Sequence, residues 1–297
     1  MPAVDRDPAV VPLASLDALW DFDDPAASEE RFRVVVERAR VEGGRAHLAE
    51  ALTQLARALG LQGHFADARR TLDEASAALR PDDRRSRVRL LLERGRVDRS
   101  EGRRELGRDA FIEAWELARS SGEDALAVDA AHMLGIVEPP RAAQEWNERA
   151  IELARGSADP GAARWVGSLA SNMGWARHDA GDDDAAIALF ELARDEWLAD
   201  GRTDRARIAR WSIARCLRSR GDVSEALAAQ EQLLAELDDL GRTDGYVLEE
   251  IAECLLALGR GDDARGFFAR AHAALAGDPH LSATEPARLE RLRSLGD

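Results

Sequence analysis

Apolar residues recur along this chain at steps of three and four, and Gly or Pro interrupts them at short, even intervals. That is the period of a helix burying one stripe; a strand would alternate at every second residue. Ala, Leu, Glu and Arg fill the segments between breaks, and all four favour helix. Alternating runs rich in Val, Ile and Thr are missing. The pattern predicts an all-α chain. Asp159 and Pro160 mark one helix start, since Asp caps free N–H groups and Pro suits the first turn. From there Trp165, Ser168, Asn172, Trp175 and Asp179 form one stripe, bordered by His178. Leu169, Met173, Ala176 and Ala180 form another, suited to packing on a partner helix.

The segments repeat. "GHFADARRTLDEA" (63–75), "GDDDAAIALFELA" (181–193), "GDVSEALAAQEQL" (221–233) and "GRGDDARGFFARA" (259–271) each open with Gly. Five residues on stands Ala68, Ala186, Ala226 or Ala264. Four further comes Leu72, Phe190, Gln230 or Phe268, and three beyond that Ala75, Ala193, Leu233 or Ala271. The last three copies recur every 40 and 38 residues. Upstream of each, a small residue falls in the preceding helix: Ala56, Gly174, Ala214, Ala252.

This arrangement resembles the tetratricopeptide repeat, over roughly residues 45 to 276 and about six copies. The second copy, around "RSEGRRELGRDAFIEAWELA" (99–118), reads as having a lengthened turn. The third, "HMLGIVEPPRAAQEWNERA" (132–150), reads as shortened at Pro139 and Pro140. The resemblance implies a right-handed superhelical α-solenoid of stacked helix pairs with a concave face lined by the first helix of each pair. Residues 1–14 are expected to be disordered and 15–44 to flank the stack. The solenoid itself is expected over 45–280 and a C-terminal capping helix over 281–297. Trp20 and Phe22 are expected to pack on the first repeat. Leu289, Leu292 and Leu295 make the stripe of the final cap.

Composition narrows the function. All 41 basic residues among the 297 are arginine, and the net charge is −15. The scarcity of Lys, Asn and Ile fits a GC-rich, bacterial coding sequence. An acidic chain lacks the basic footprint that nucleic acid demands. No run approaches the ~20 apolar residues of a membrane span, and residues 1–16 do not read as a secretion signal. A cytoplasmic location follows as the expectation. Two cysteines, Cys216 and Cys254, cannot make a disulfide framework.

Residue chemistry points away from catalysis. "HDAGDDDAA" (178–186) gathers His178, Asp179, Asp182, Asp183 and Asp184, yet its counterparts in other copies mark a turn and a helix start. Acidic residues there cap N–H groups and suit the helix dipole. The order of a calcium loop is missing. There is no HExxH and no CxxC, so spacing supplies no zinc ligand set. A chain without lysine has no phosphate-binding GxxxxGK[ST] motif. No catalytic residue, cofactor or metal is expected. Cys216 and Cys254 occupy equivalent places and read as small packing residues.

Binding is expected on the inward faces of the first helices. Those faces carry Thr53 and Arg57; Arg89, Arg96 and Arg99; His132; Asn172, Trp175 and His178; Trp211, Arg215 and Arg218; and Tyr246, Glu249 and Glu253. Packed helices lie about 8–10 Å apart, which sets Trp175, Arg215 and Glu253 in a row. Aromatic and arginine side chains are enriched at binding hot spots. Trp115, Trp146 and Trp197, on second helices, read as core. The family resemblance implies a protein or peptide segment as partner, with Asn172, Arg215 and Arg218 as candidate carboxylate holders. Two alternatives stand beside this scaffold reading: a sensor acting through another protein, and self-assembly as a homo-oligomer.

Overall fold

The computed structural model describes Leu16 and residues 18–42 and 44–297; the stretch 1–14 lies outside the described residues. Among these there are sixteen α-helices and no strand. Helix α1 spans Pro25–Glu42. Six antiparallel pairs follow, in two compact units that divide after Trp165. The first unit holds α2 (Arg45–Leu61) with α3 (Phe65–Ala78), α4 (Arg84–Ser100) with α5 (Arg104–Ser121), and α6 (Asp124–Val137) with α7 (Pro140–Gly156). It ends with the single turn α8 (Pro160–Ala163). The second unit holds α9 (Val166–Asp179) with α10 (Asp183–Ala199), α11 (Thr203–Arg220) with α12 (Val223–Asp239), and α13 (Gly245–Ala257) with α14 (Gly261–Leu275). Then come α15 (Pro279–Thr284) and α16 (Pro286–Gly296).

One packing rule builds every pair. A small residue on the first helix sits under a bulky one on the second, sixteen residues later in five of the six copies. A Cβ on Gly95 would lie 2.4 Å from the Phe111 ring, and one on Gly174 would lie 2.8 Å from Phe190. Phe111, Phe190 and Phe268 are fully buried, each stabilising its pair by roughly 1.5–3 kcal/mol. Gly63, Gly102, Gly181, Gly221 and Gly259 hold positive φ at the turns, where a side chain would be strained.

The second copy does not have the lengthened turn expected of it. Gly102, Gly107, Phe111 and Ala114 keep the same steps as Gly63, Ala68, Leu72 and Ala75. A glycine in place of the alanine at 107 hid the register. The third copy is the shortened one: Gly135 meets Asn147, only twelve residues on, because Pro139–Pro140 turns the chain sharply.

The helix expected to run on from Pro160 is broken. The Asp159 side chain accepts from Gly161 N–H, capping α8. The Trp165 N–H then bonds the Ala162 carbonyl, three residues back, and the Trp165 ring packs on His132 at 5.3 Å. That anchoring takes the chain out of helical register before α9 begins.

Segments outside the six pairs pack on the cores next to them. Trp20 stacks on Phe22 at 4.8 Å, tilts against Phe32, and its Nε1–H donates to Gln54 Oε1 at 2.9 Å. Leu289 and Leu292 of α16 are buried on the same core as Phe268, with Leu295 packed beside them. Trp115 and Trp146 meet edge to face at 5.4 Å, and Trp197 is buried. No helix among the described residues is long and apolar enough to cross a membrane.

Candidate functional site

In the second unit the first helices carry a continuous aromatic row. Trp175 of α9 rests edge-on against Phe190 at 5.1 Å and meets Trp211 of α11 at 5.8 Å. Trp211 in turn meets Tyr246 of α13 at 6.0 Å, and its Nε1–H donates to the Tyr246 carbonyl. Arg215, one turn beyond Trp211, lies over both indoles, 5.8 Å from the Trp175 ring and 5.6 Å from Trp211. The two tryptophans are half-buried and Tyr246 is exposed. The row thus has a packed edge and an open edge, with a cation held on it by the ring quadrupoles.

Beside Trp211 opens a cavity of about 390 Å³ between α11, α12 and α13. Ile208, Leu233, Leu237 and Val247 give it an apolar wall, and Asp204, Arg207, Arg242 and Asp244 also line it. Ile208 is 49% exposed. Ile208 stands three residues before Trp211 on the same face of α11, outside the stripe expected from Trp211, Arg215 and Arg218.

Several expected ligand-binding side chains are already paired. Glu249 is buried and held by Arg288 of α16, with Nε at 2.9 Å, and Glu253 is held by Arg291. Arg288 also lies over the Tyr246 ring at 5.2 Å. The covering helix therefore takes the acidic end of the row. Arg218 forks onto buried Glu250, and Arg215 stands 3.7 Å from the same carboxylate. Asn172 is exposed and shares no hydrogen bond with Arg215 or Arg218 among the described residues.

In the first unit Arg96 bonds Glu93 and Asp129, and Arg57 bonds Glu93 at 3.2 Å. Burial works against both charges of the Arg96–Asp129 pair. Their mutual attraction, with Glu93 and Arg57, outweighs it: the Arg96 pKa is raised and that of Asp129 lowered. His132 sits beside them with its Nδ1 buried and unbonded, and burial lowers its pKa. Arg57, Arg96 and Arg99 line a cavity of about 200 Å³ there, with Arg99 exposed at its edge.

The acidic stretch at 178–186 resolves into a turn and something more. Gly181 holds φ +78°, and Asp182 caps α10 by accepting from Ala185 N–H. Asp183 turns inward: its Oδ1 lies 2.6 Å from His178 Nδ1, which is 3.6 Å from Cys216 Sγ. Burial, with Asp183 alongside, pushes the Cys216 thiol up to about 12. Unaided, it is no thiolate nucleophile near neutral pH. Cys254 is likewise buried, its thiol pushed up to about 12.

A stack of helix pairs, each locked by a small residue under a bulky one, defines an α-solenoid. Its particular form is the tetratricopeptide-repeat fold. The tetratricopeptide-sensor STAND ATPase of Pyrococcus horikoshii superposes with a TM-score of 0.68 at 14% identity, over 93% of this chain and 44% of its own. The Cut9–Hcn1 APC/C hetero-tetramer gives 0.59 at 15%, over 96% and 50%. NprR in complex with its cognate peptide NprX gives 0.53 at 15%, over 95% and 82%. This chain spans half or less of the first two of these structures. No family profile and no curated protein matches the sequence.

Proposed function

We propose that this protein is a non-catalytic binding module that holds a protein or peptide segment on the Trp175–Trp211–Tyr246 row. The observation that carries the reading is the cavity beside Trp211, apolar within, polar in part and about 390 Å³ in volume. That volume lies within the ~300–1,000 Å³ range of ligand pockets. An apolar side chain of the partner fills it, while Arg215 meets a carboxylate or carbonyl beside it; Arg207 and Arg242 are held by Asp204 at the cavity's edge. The fold suits the role, and NprR, of the same fold, has been crystallised in complex with its cognate peptide NprX.

A displayed library of random peptides, panned on the full chain, tests the proposal. Enriched sequences should share an apolar anchor. Ile208→Arg should weaken them by more than about tenfold, a loss near 1.4 kcal/mol, with helicity unchanged. Equal binding to both proteins, or no enrichment, counts against the reading. The NprR–NprX pairing also supports a second version, in which a bound signal peptide regulates a separate output protein. A peptide that changes capture of such a partner would select it.

A further inference from the structure

His178, Asp183 and Cys216 bring three different ligand atoms to one point, from α9, α10 and α11. An imidazole nitrogen, a carboxylate oxygen and Sγ all lie within 4.8 Å of one another. Repeat packing does not call for this group. The same three places in the next copy hold Arg218, Val223 and Cys254, and the middle place in the first copy holds Phe65. Val223 and Phe65 pack against apolar cores. A carboxylate at that position carries a desolvation cost that Val223 and Phe65 avoid. Its partner is unusual as well. Glu50, Glu93, Asp129, Glu249 and Glu250 are buried and each is met by arginine. Asp183, in a chain with 41 arginines, meets an imidazole instead.

A nucleophile–base–orienter relay does not fit, because a relay uses opposite nitrogens of the imidazole. Here carboxylate and thiol both approach Nδ1. Convergence on one point is what a cation requires. A tetrahedral zinc ion, with ligand bonds of about 2.0–2.3 Å, sets N–S edges near ~3.6 Å and N–O edges near ~3.3 Å. The S–N separation is already 3.6 Å. The 2.6 Å N–O separation opens by less than ~1 Å to fit, within reach of a side-chain rotation. Mixed N, O and S ligands favour a borderline-soft ion over magnesium or calcium, which take oxygen.

We propose that His178 Nδ1, Asp183 Oδ1 and Cys216 Sγ bind one zinc-class divalent cation, with water as fourth ligand. His178 and Asp183 keep 14% and 13% of their side chains exposed, which gives the ion an entry side, and buried Cys216 closes the floor. The ion displaces the thiol proton, which leaves to solvent, and binds the resulting thiolate. It ties three helices together beside Trp175, whose ring lies 5.6 Å from that of His178.

The test is titration of the full chain, stripped with chelator, with Co²⁺ and then Zn²⁺. Wild type and Cys254→Ala should show a thiolate-to-cobalt charge-transfer band saturating at one equivalent and lost on adding Zn²⁺. Cys216→Ala should lose the band. His178→Ala and Asp183→Asn, each checked for unchanged helicity, should weaken Zn²⁺ binding by at least the ~10–100-fold typical of disturbing a metal site's supporting residues. No band in folded wild type overturns the proposal. So does a band that survives Cys216→Ala, or one that Cys254→Ala abolishes.

Discussion

Arg218 grips Glu250 through two near-parallel hydrogen bonds, Nε to Oε2 at 2.8 Å and Nη2 to Oε1 at 3.0 Å. The pair joins α11 to α13 in the second unit. Glu250 is almost wholly buried, whereas Arg218 keeps about a quarter of its side chain in water. Losing one partner of a buried pair costs ~3–5 kcal/mol because the other charge stays desolvated. Partial exposure reduces that toward ~2–3 kcal/mol. Arg218→Ala, which leaves the buried carboxylate with only Arg215 at 3.7 Å, should lower the urea midpoint more than Glu250→Ala, which leaves two arginines that reach water. Small and equal losses from both substitutions would show that the fork contributes little.

Glycine to alanine inside a helix normally stabilises by up to ~1 kcal/mol. Gly95 and Gly266 should part company on this. A Cβ on Gly266 meets nothing within 4 Å, so Gly266→Ala should raise the melting temperature. A Cβ on Gly95 would fall 2.4 Å from Phe111, a fully buried ring. Overpacking of that kind costs ~1–3 kcal/mol, so Gly95→Ala should lower it. Thermal unfolding followed by circular dichroism separates the two signs.

The sequence made the repeats legible because solenoid packing is local: each pair states its own small-under-large contact within about forty residues. Gly102–Gly107–Phe111 was there to be read and was obscured only by glycine replacing alanine. The aromatic row was half legible. Trp175, Trp211 and Tyr246 announce themselves, since large rings on first helices have few places to go. Glu249 and Glu253 looked equally free, but their partners Arg288 and Arg291 lie 39 and 38 residues downstream on the covering helix. No periodicity encodes such a pairing. The His178–Asp183–Cys216 trio was hidden for the same reason, because Cys216 is 38 residues from His178. Spacing rules for metal sites capture ligands that share a helix or loop, not those that adjacent repeats bring together.

His132 gives the first unit an acid sensitivity that can be isolated. Burial holds its pKa below the ordinary 6.5, with Arg96, Arg57 and Arg99 acting in the same direction and Asp129 opposing. The folded chain keeps this imidazole neutral at pH values where the unfolded chain protonates it. The unfolded state therefore binds the extra proton, and stability falls as pH drops through about 6.5 toward the folded value. Asp129 adds its own loss only lower down: its folded pKa lies below 3.8, so its contribution is intact above that value and disappears as pH falls through the folded pKa. A window from pH 7.5 to 5.5 thus reads His132 apart from Asp129. In that window wild type should lose more melting temperature than His132→Leu, whose side chain cannot titrate. The remaining five histidines are common to both proteins and cancel in the comparison. Parallel melting curves for the two proteins across the window would mean that His132 carries its proton in the folded state as readily as in the unfolded one.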